Sequence, residues 1–259
     1  MNNLKLVALT PHPPIMVPEV GGNEVKKVQN SINAMNLIGK KIAEINPDTI
    51  VLVTPHSRYH PEKFSVYTNE LLYGDLTMFR TPSVKLEFKN DLDFVKKLSE
   101  SCSLNEIKNL SLDHGTIVPM YFIQKTDFKG NLVVLNYCAL DKNEHIKFGK
   151  KLKEVMESYE QEKKFVFIAS GDMSHRLLPE APAGFHPNAY MFDEKIKDAI
   201  EHGDYDFIKN VPFDLRECAG ECAYNSIMVA MGVLDSKPLE NNVYSYESPW
   251  GVGYLVATL

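Results

Sequence analysis

Four short runs of apolar residues, LKLVAL, TIVLV, NLVVLNY and KFVFIAS, punctuate the chain. None alternates with polar positions, so each predicts a strand buried on both faces. The segments between them have helical periodicity instead. From Asn23, the residues Val25, Val28, Ile32, Met35, Ile38 and Ile42 keep one face apolar until Asn46-Pro47-Asp48 ends the helix. Ile146, Gly149, Leu152, Val155, Met156 and Tyr159 make a second such face. A third runs from Ala189 through Phe192, Ile196, Ala199 and Ile200 to a stop at Gly203. The continuous apolar stretch AYNSIMVAMGVL predicts a buried helix. Strands alternating with helices imply an α/β fold, three-layer α/β/α with one mixed, mainly parallel sheet. FSVYTNE and VKLEF predict antiparallel strands at an edge of that sheet, and GVGYLVATL a closing strand.

Composition narrows the class. The 259 residues suit one domain, 1–259, with no repeat beyond two strand-Thr-Pro-His units and no linker-like stretch. A content of 44% hydrophobic and 24% charged residues is that of a globular chain. The net charge of -6 leaves no basic footprint, so nucleic acid is not an expected partner. No apolar stretch approaches the ~20 residues of a membrane helix. The start, MNNLKLVAL, is expected to enter a strand at once, without a leader pattern. The cysteines Cys102, Cys138, Cys218 and Cys222 form no C-x-x-C pair and no zinc-ribbon spacing, so free thiols in a reducing cytoplasm are expected.

Chemistry concentrates where strands end. LVALTPH brings β-structure to a stop at His12, and IVLVTPH does the same at His56. Proline before each histidine keeps the preceding threonine extended, so the imidazole projects where the chain leaves the sheet. In open α/β sheets that edge is where ligands bind. A third strand, FVFIAS, leads through Gly171-Asp172-Met173-Ser174 to His175, with Asp172 or Ser174 placed to orient its ring. Two imidazoles and one carboxylate make the facial triad of non-haem Fe(II) enzymes. The carboxylate is expected from Arg216-Glu217-Cys218-Ala219-Gly220-Glu221-Cys222, before the apolar helix. Glu221 is the leading candidate, and Glu217 and Cys222 compete with it. Asp113-His114-Gly115, just before TIVPMYFI, offers a further polar group. His145 and His202 lie in polar helical contexts and are expected to be solvated.

TPHPPIMVPEVGG, VTPHS, DHG, SGDMSHR and AGEC, in this order, resemble the class III extradiol (LigB-like) dioxygenases. More closely they resemble the LigB-like, or Memo-like, domain of the AmmeMemoRadiSam system. The resemblance spans essentially the whole chain. It implies that His12, His56 and Glu221 bind a non-haem metal, Fe(II) in ring-cleaving members, with Zn or another divalent metal as substitutes. It also implies that His175 is the active-site acid/base and that His114 contacts substrate or oxygen. The expected reaction opens a catechol-like ring with dioxygen. Two other readings stand beside it. One is a Memo-like metal-binding protein that works with Ammecr-type and radical-SAM partners and cleaves no ring. The other is metal-assisted hydrolysis with the same ligands. A homo-oligomer is compatible with either.

Overall fold

The computed structural model describes residues 3–160, 162–235 and 237–259. Met1 and Asn2, at which the chain was expected to enter its first strand, lie outside the described residues. In chain order the elements begin with β1 (Leu4–Thr10), α1 (Pro18–Gly21), α2 (Gln29–Ile45), β2 (Thr49–Thr54) and β3 (Ser65–Tyr67). There follow β4 (Leu71–Leu76), β5 (Thr81–Lys89), α3 (Leu92–Ser101), β6 (Asn105–Ile107), α4 (His114–Gln124) and β7 (Asn131–Asn136). The second half holds α5 (Lys142–Glu157), β8 (Phe165–Ser170), α6 (Tyr190–His202), α7 (Tyr205–Lys209) and α8 (Phe213–Ala219). It closes with α9 (Tyr224–Leu234), β9 (Asn242–Glu247) and β10 (Tyr254–Thr258).

The four apolar runs become β1, β2, β7 and β8, which sit side by side and parallel at the centre of a sheet ordered β6-β3-β7-β2-β8-β1-β10-β9. Antiparallel pairing enters only at the flanks, where β3 meets β7 and β10 meets β1 and β9. Alternate residues of the central strands serve two cores. Val7, Leu9, Val51, Val53, Val133, Leu135 and Phe167 pack with α3, α5, α6 and α9 on one side. Leu6, Ala8, Ile50, Leu52, Leu132, Val134 and Ile168 pack with α2, α4 and the β4–β5 hairpin on the other. Continuous burial on both faces is why the runs lack polar alternation. The α/β, three-layer reading with a mainly parallel mixed sheet holds.

Three local expectations change. VKLEF lies in β5, whose partner is β4 in a separate two-stranded sheet over the α2/α4 face, and β6 rather than VKLEF forms that edge. GVGYLVATL forms the last strand, β10, as read, and lies between β1 and β9. The amphipathic pattern from Asn23 is split: Gly22–Val28 winds as a 3-10 segment, and α2 proper starts at Gln29. The end of α2 is as read, with Asn46 in the left-handed region at φ 48°. His145 is fully buried rather than solvated; its Nδ1 is 2.8 Å from the Asp141 carbonyl and its ring meets Phe64 edge-on. The acidic and basic neighbours of His145 face water, while the residue itself shares the inward stripe of α5 with Phe148, Gly149 and Leu152.

The central strands all end in polar residues on the α4 side: Thr10, Thr54, Asn136 and Ser170, each at 0% exposure. Thr10 is in register with Ser170, and Thr54 with Asn136. This row marks where the apolar sheet stops and a polar floor begins.

Candidate metal and acid/base site

His12 and His56 leave the ends of β1 and β2, two strands separated by β8 alone, and converge. Their Nε2 atoms lie 3.0 Å apart. His114, the first residue of α4, joins them, its ring stacked on His56 at 4.4 Å between centroids and 22° between planes. Donor atoms of His12, His56 and His114 all lie within 4.8 Å of one another, the one such group of three among the described residues.

Each ring is held by the fold. The Ser170 hydroxyl donates to the Gly115 carbonyl at 2.5 Å, which commits its only hydrogen. Ser170 therefore accepts from His12 Nδ1, 2.9 Å away, and the His12 proton sits on Nδ1. That leaves the Nε2 lone pair facing His56. The His12 backbone N–H donates to Asp172 Oδ1 at 2.9 Å, tying the end of β1 to the turn after β8. The Thr54 hydroxyl donates to Asp113 Oδ1 at 2.6 Å, docking the start of α4 on the end of β2. Gly115 has no room for a side chain here, because a Cβ would collide with Thr54 Oγ1 and lie 2.8 Å from Asp113 Oδ1.

Burial holds all three imidazoles neutral. The pKa of His12 falls to about 4, chiefly by desolvation and further by His56 and His175, against the opposing Asp172 charge. His56 and His114 fall to about 4 for the same leading reason, each lowered further by a neighbouring imidazole. A divalent metal requires neutral imidazoles, and in His12 the outer hydrogen bond from Nδ1 to Ser170 also fixes the tautomer that leaves Nε2 free to bind it. The donor set therefore fits a metal.

His175 sits on the other side of Asp172. Its Nδ1 donates to the Gly220 carbonyl at 2.7 Å, which turns Nε2 toward Asp172 Oδ2, 3.9 Å away. Burial opposes a charge on His175, but the Asp172 carboxylate and the Gly220 carbonyl outweigh it and raise its pKa. His175 is thus the basic member of the histidine cluster. Ser174, weighed as an orienting group, instead spends its hydroxyl on the Ala219 carbonyl.

The expected acidic ligand is engaged elsewhere. Glu221 Oε1 accepts from Arg216 Nε at 2.9 Å, and Oε2 accepts from the Tyr224 backbone N–H at 2.6 Å, capping the first turn of α9. It is not in the three-histidine group. Cys222 is closer to the chemistry, with Sγ 3.7 Å from His12 Nε2 and 4.0 Å from His175 Nε2. Burial lifts its thiol well above the usual value, and the Asp172 charge adds to this. Glu217 contributes its backbone carbonyl to Arg176 at 3.1 Å. The sequence reading missed Ser170 as the group that fixes the His12 tautomer; its signal was a polar residue closing an otherwise apolar run.

The model of the LigB family, described as the catalytic LigB subunit of aromatic ring-opening dioxygenase, matches residues 6–257. Protein CA_C1420 of Clostridium acetobutylicum is 35% identical over 97% of this chain, which spans only 56% of that protein. The 3,4-dihydroxyphenylacetate 2,3-dioxygenase of Escherichia coli is 25% identical, with 95% of each chain covered. The crystal structure of the uncharacterized protein JW3007 from Escherichia coli K12 covers 98% of both chains with a TM-score of 0.58 at 16% identity, a likeness of fold.

Proposed function

Since the chain belongs to the LigB family of aromatic ring-opening dioxygenases, we propose that it opens a catechol-like aromatic ring with dioxygen, using a divalent metal, Fe(II), held by its histidines. The observation that carries the reading is the opposed pair of neutral imidazoles, His12 and His56, 3.0 Å apart at the ends of two parallel strands. A metal bound there supplies Lewis acidity toward the catechol oxygens and, as iron, exchanges electrons with dioxygen. His175, fixed through Nδ1 and raised in pKa, takes a phenolic proton at Nε2 and later returns it. His114, stacked on His56 and edge-on to Phe79 at 5.3 Å, gives an aromatic substrate a flat wall and a polar nitrogen. The reading treats residues 1–259 as one domain acting in the cytoplasm, which the four free thiols support.

The third protein ligand has three claimants, His114 by its place in the three-histidine group and two residues just before α9. The resemblance gives it to Glu221, whose carboxylate must first release Arg216 or Tyr224. A second reading gives it to Cys222, favoured by a sulfur already 3.7 Å from His12 Nε2.

One set of variants tests both levels. After anaerobic iron(II) reconstitution, His12→Ala and His56→Ala are expected to lose the metal by elemental analysis. His175→Ala keeps the metal, while oxygen uptake with an accepted catechol falls by roughly 10²-fold or more. A larger loss of metal affinity in Cys222→Ala than in Glu221→Ala selects sulfur, and the reverse selects the carboxylate. Absence of oxygen uptake by iron-loaded wild type across a catechol panel would overturn ring opening. The outcome would then favour a metal-binding partner of Ammecr-type and radical-SAM proteins.

A further inference from the structure

Asp193 lies on the inward face of α6 at 1% exposure. Its Oδ1 accepts from the Ser174 backbone N–H at 2.9 Å, and its Oδ2 accepts from the Tyr246 hydroxyl at 2.6 Å. Burial pushes its carboxyl up to about 7, only partly offset by those two hydrogen bonds and by His175, with Glu221 pushing the same way as burial. A buried acid held by two neutral donors costs folding free energy. The surrounding backbone is nevertheless shaped to admit it. Gly253 precedes β10, and a Cβ there would collide with Asp193 Oδ2 and stand 2.9 Å from Met173 Cβ.

The residue that Asp193 holds is the hinge of the acid/base turn. Ser174 stands between Asp172, which accepts from the His12 backbone, and His175, whose own N–H donates to Ala219 at 2.9 Å. Gly253 clamps the same turn from the sheet side, donating to the Ser174 carbonyl at 2.8 Å and accepting from Met173 at 2.9 Å. Like the Asp172 N–H toward Cys222 Sγ at 3.2 Å, the Ser174 N–H is a buried donor whose partner is a side chain. Without Asp193 it would be orphaned, and the turn would move to find another acceptor.

We infer that Asp193, steadied by Tyr246, is the positioning residue for His175: it fixes the turn from which Asp172 and His175 project. The inference rests on the reading of His175 as the proton-transfer group. Asp193 touches neither substrate nor metal, and acts through the Ser174 backbone. Hydrogen bonding rather than charge carries the effect. An amide at this position can still accept from Ser174 N–H, and Tyr246 can rotate its hydroxyl to accept from the amide nitrogen.

The test compares Asp193→Ala, Asp193→Asn and Tyr246→Phe with wild type. For catechol turnover, Asp193→Ala is expected to lower kcat roughly 10- to 100-fold, as loss of an orienting partner does. KM should stay within about threefold, because substrate contacts are untouched. Asp193→Asn recovers most of the loss. A second readout is independent of turnover: the ring resonances of His175 in the metal-free protein, followed by NMR across pH. They shift and broaden in Asp193→Ala and stay near wild type in Asp193→Asn. A wild-type His175 spectrum in Asp193→Ala overturns the inference, as does equal impairment of Asn and Ala variants. If Asp193→Ala fails to fold, Tyr246→Phe decides, with a smaller shift of the same signals expected and no shift overturning the proposal. Should wild type open no catechol, the ring-opening reading falls while the His175 spectra still settle the role of Asp193.

Discussion

At the residue scale, a histidine's surroundings decide whether it is a base, a ligand or a liability. His145 illustrates the last. It is fully buried, and burial chiefly lowers its pKa, only partly countered by the Asp141 carbonyl. Its Nε2 has no hydrogen-bond partner. The folded state therefore refuses a proton that the unfolded chain accepts, so stability falls as pH drops below the unfolded value near 6.5. Replacement by an aromatic of similar size, His145→Phe, should flatten that acid slope. The comparison is urea unfolding of both proteins from pH 7.5 to 5, and equal slopes would refute the burial argument. The sequence misplaced this residue because its polar neighbours hid the inward stripe. His12 and His56 were readable for the opposite reason, since Thr-Pro pins each to a strand end whatever surrounds it. Glu221 was harder: an acid before an apolar helix reads alike as ligand and as cap, and here it caps α9 while pairing with Arg216.

At the element scale, the buried helix α9 brings Cys222 to the site from its N-terminal end, and its seat on α5 sets where the sulfur falls. Two glycines make that seat. A Cβ on Gly149 of α5 would collide with the Val229 carbonyl and stand 2.8 Å from Gly232 Cα. One on Gly232 of α9 would strike the Ile146 carbonyl. Intrinsic propensity favours alanine over glycine in a helix by about 1 kcal/mol. Backbone contact this close reverses the sign, and overpacking of a filled core costs about 1–3 kcal/mol. Gly149→Ala and Gly232→Ala should therefore both destabilise, measured by thermal and chemical unfolding, and both should weaken metal binding by displacing α9. A stabilised Gly232→Ala would show that the helices can part freely. The periodicity of α5 announced Gly149 as an inward position, but nothing in the sequence announced its partner. The same limit explains VKLEF: it reads correctly as an antiparallel strand, while its pairing with β4 depended on a hairpin that packs on α4.

At the scale of the whole molecule, the site exists only when the sheet is complete. His12, His56, His114, Asp172 and Cys222 come from five separate segments, gathered by a strand order that sets β8 between β1 and β2. The unfolded chain has no such constellation, so metal affinity and global stability must be linked. Metal at 100 times its dissociation constant is expected to raise unfolding stability by about 2.7 kcal/mol, and the shift should grow with the logarithm of concentration. Hydrogen exchange separates this from a local effect. Amides of β1, β2, β7 and β8 are buried between two cores and exchange through global opening, so metal should slow them together. The β4–β5 hairpin, paired only to itself and exposed along Leu71 and Tyr73, opens more cheaply and should gain less protection. His12→Ala abolishes both responses if His12 is a ligand. Protection confined to the histidine loops, with the central strands unchanged, would mean that the ion binds without coupling to the fold.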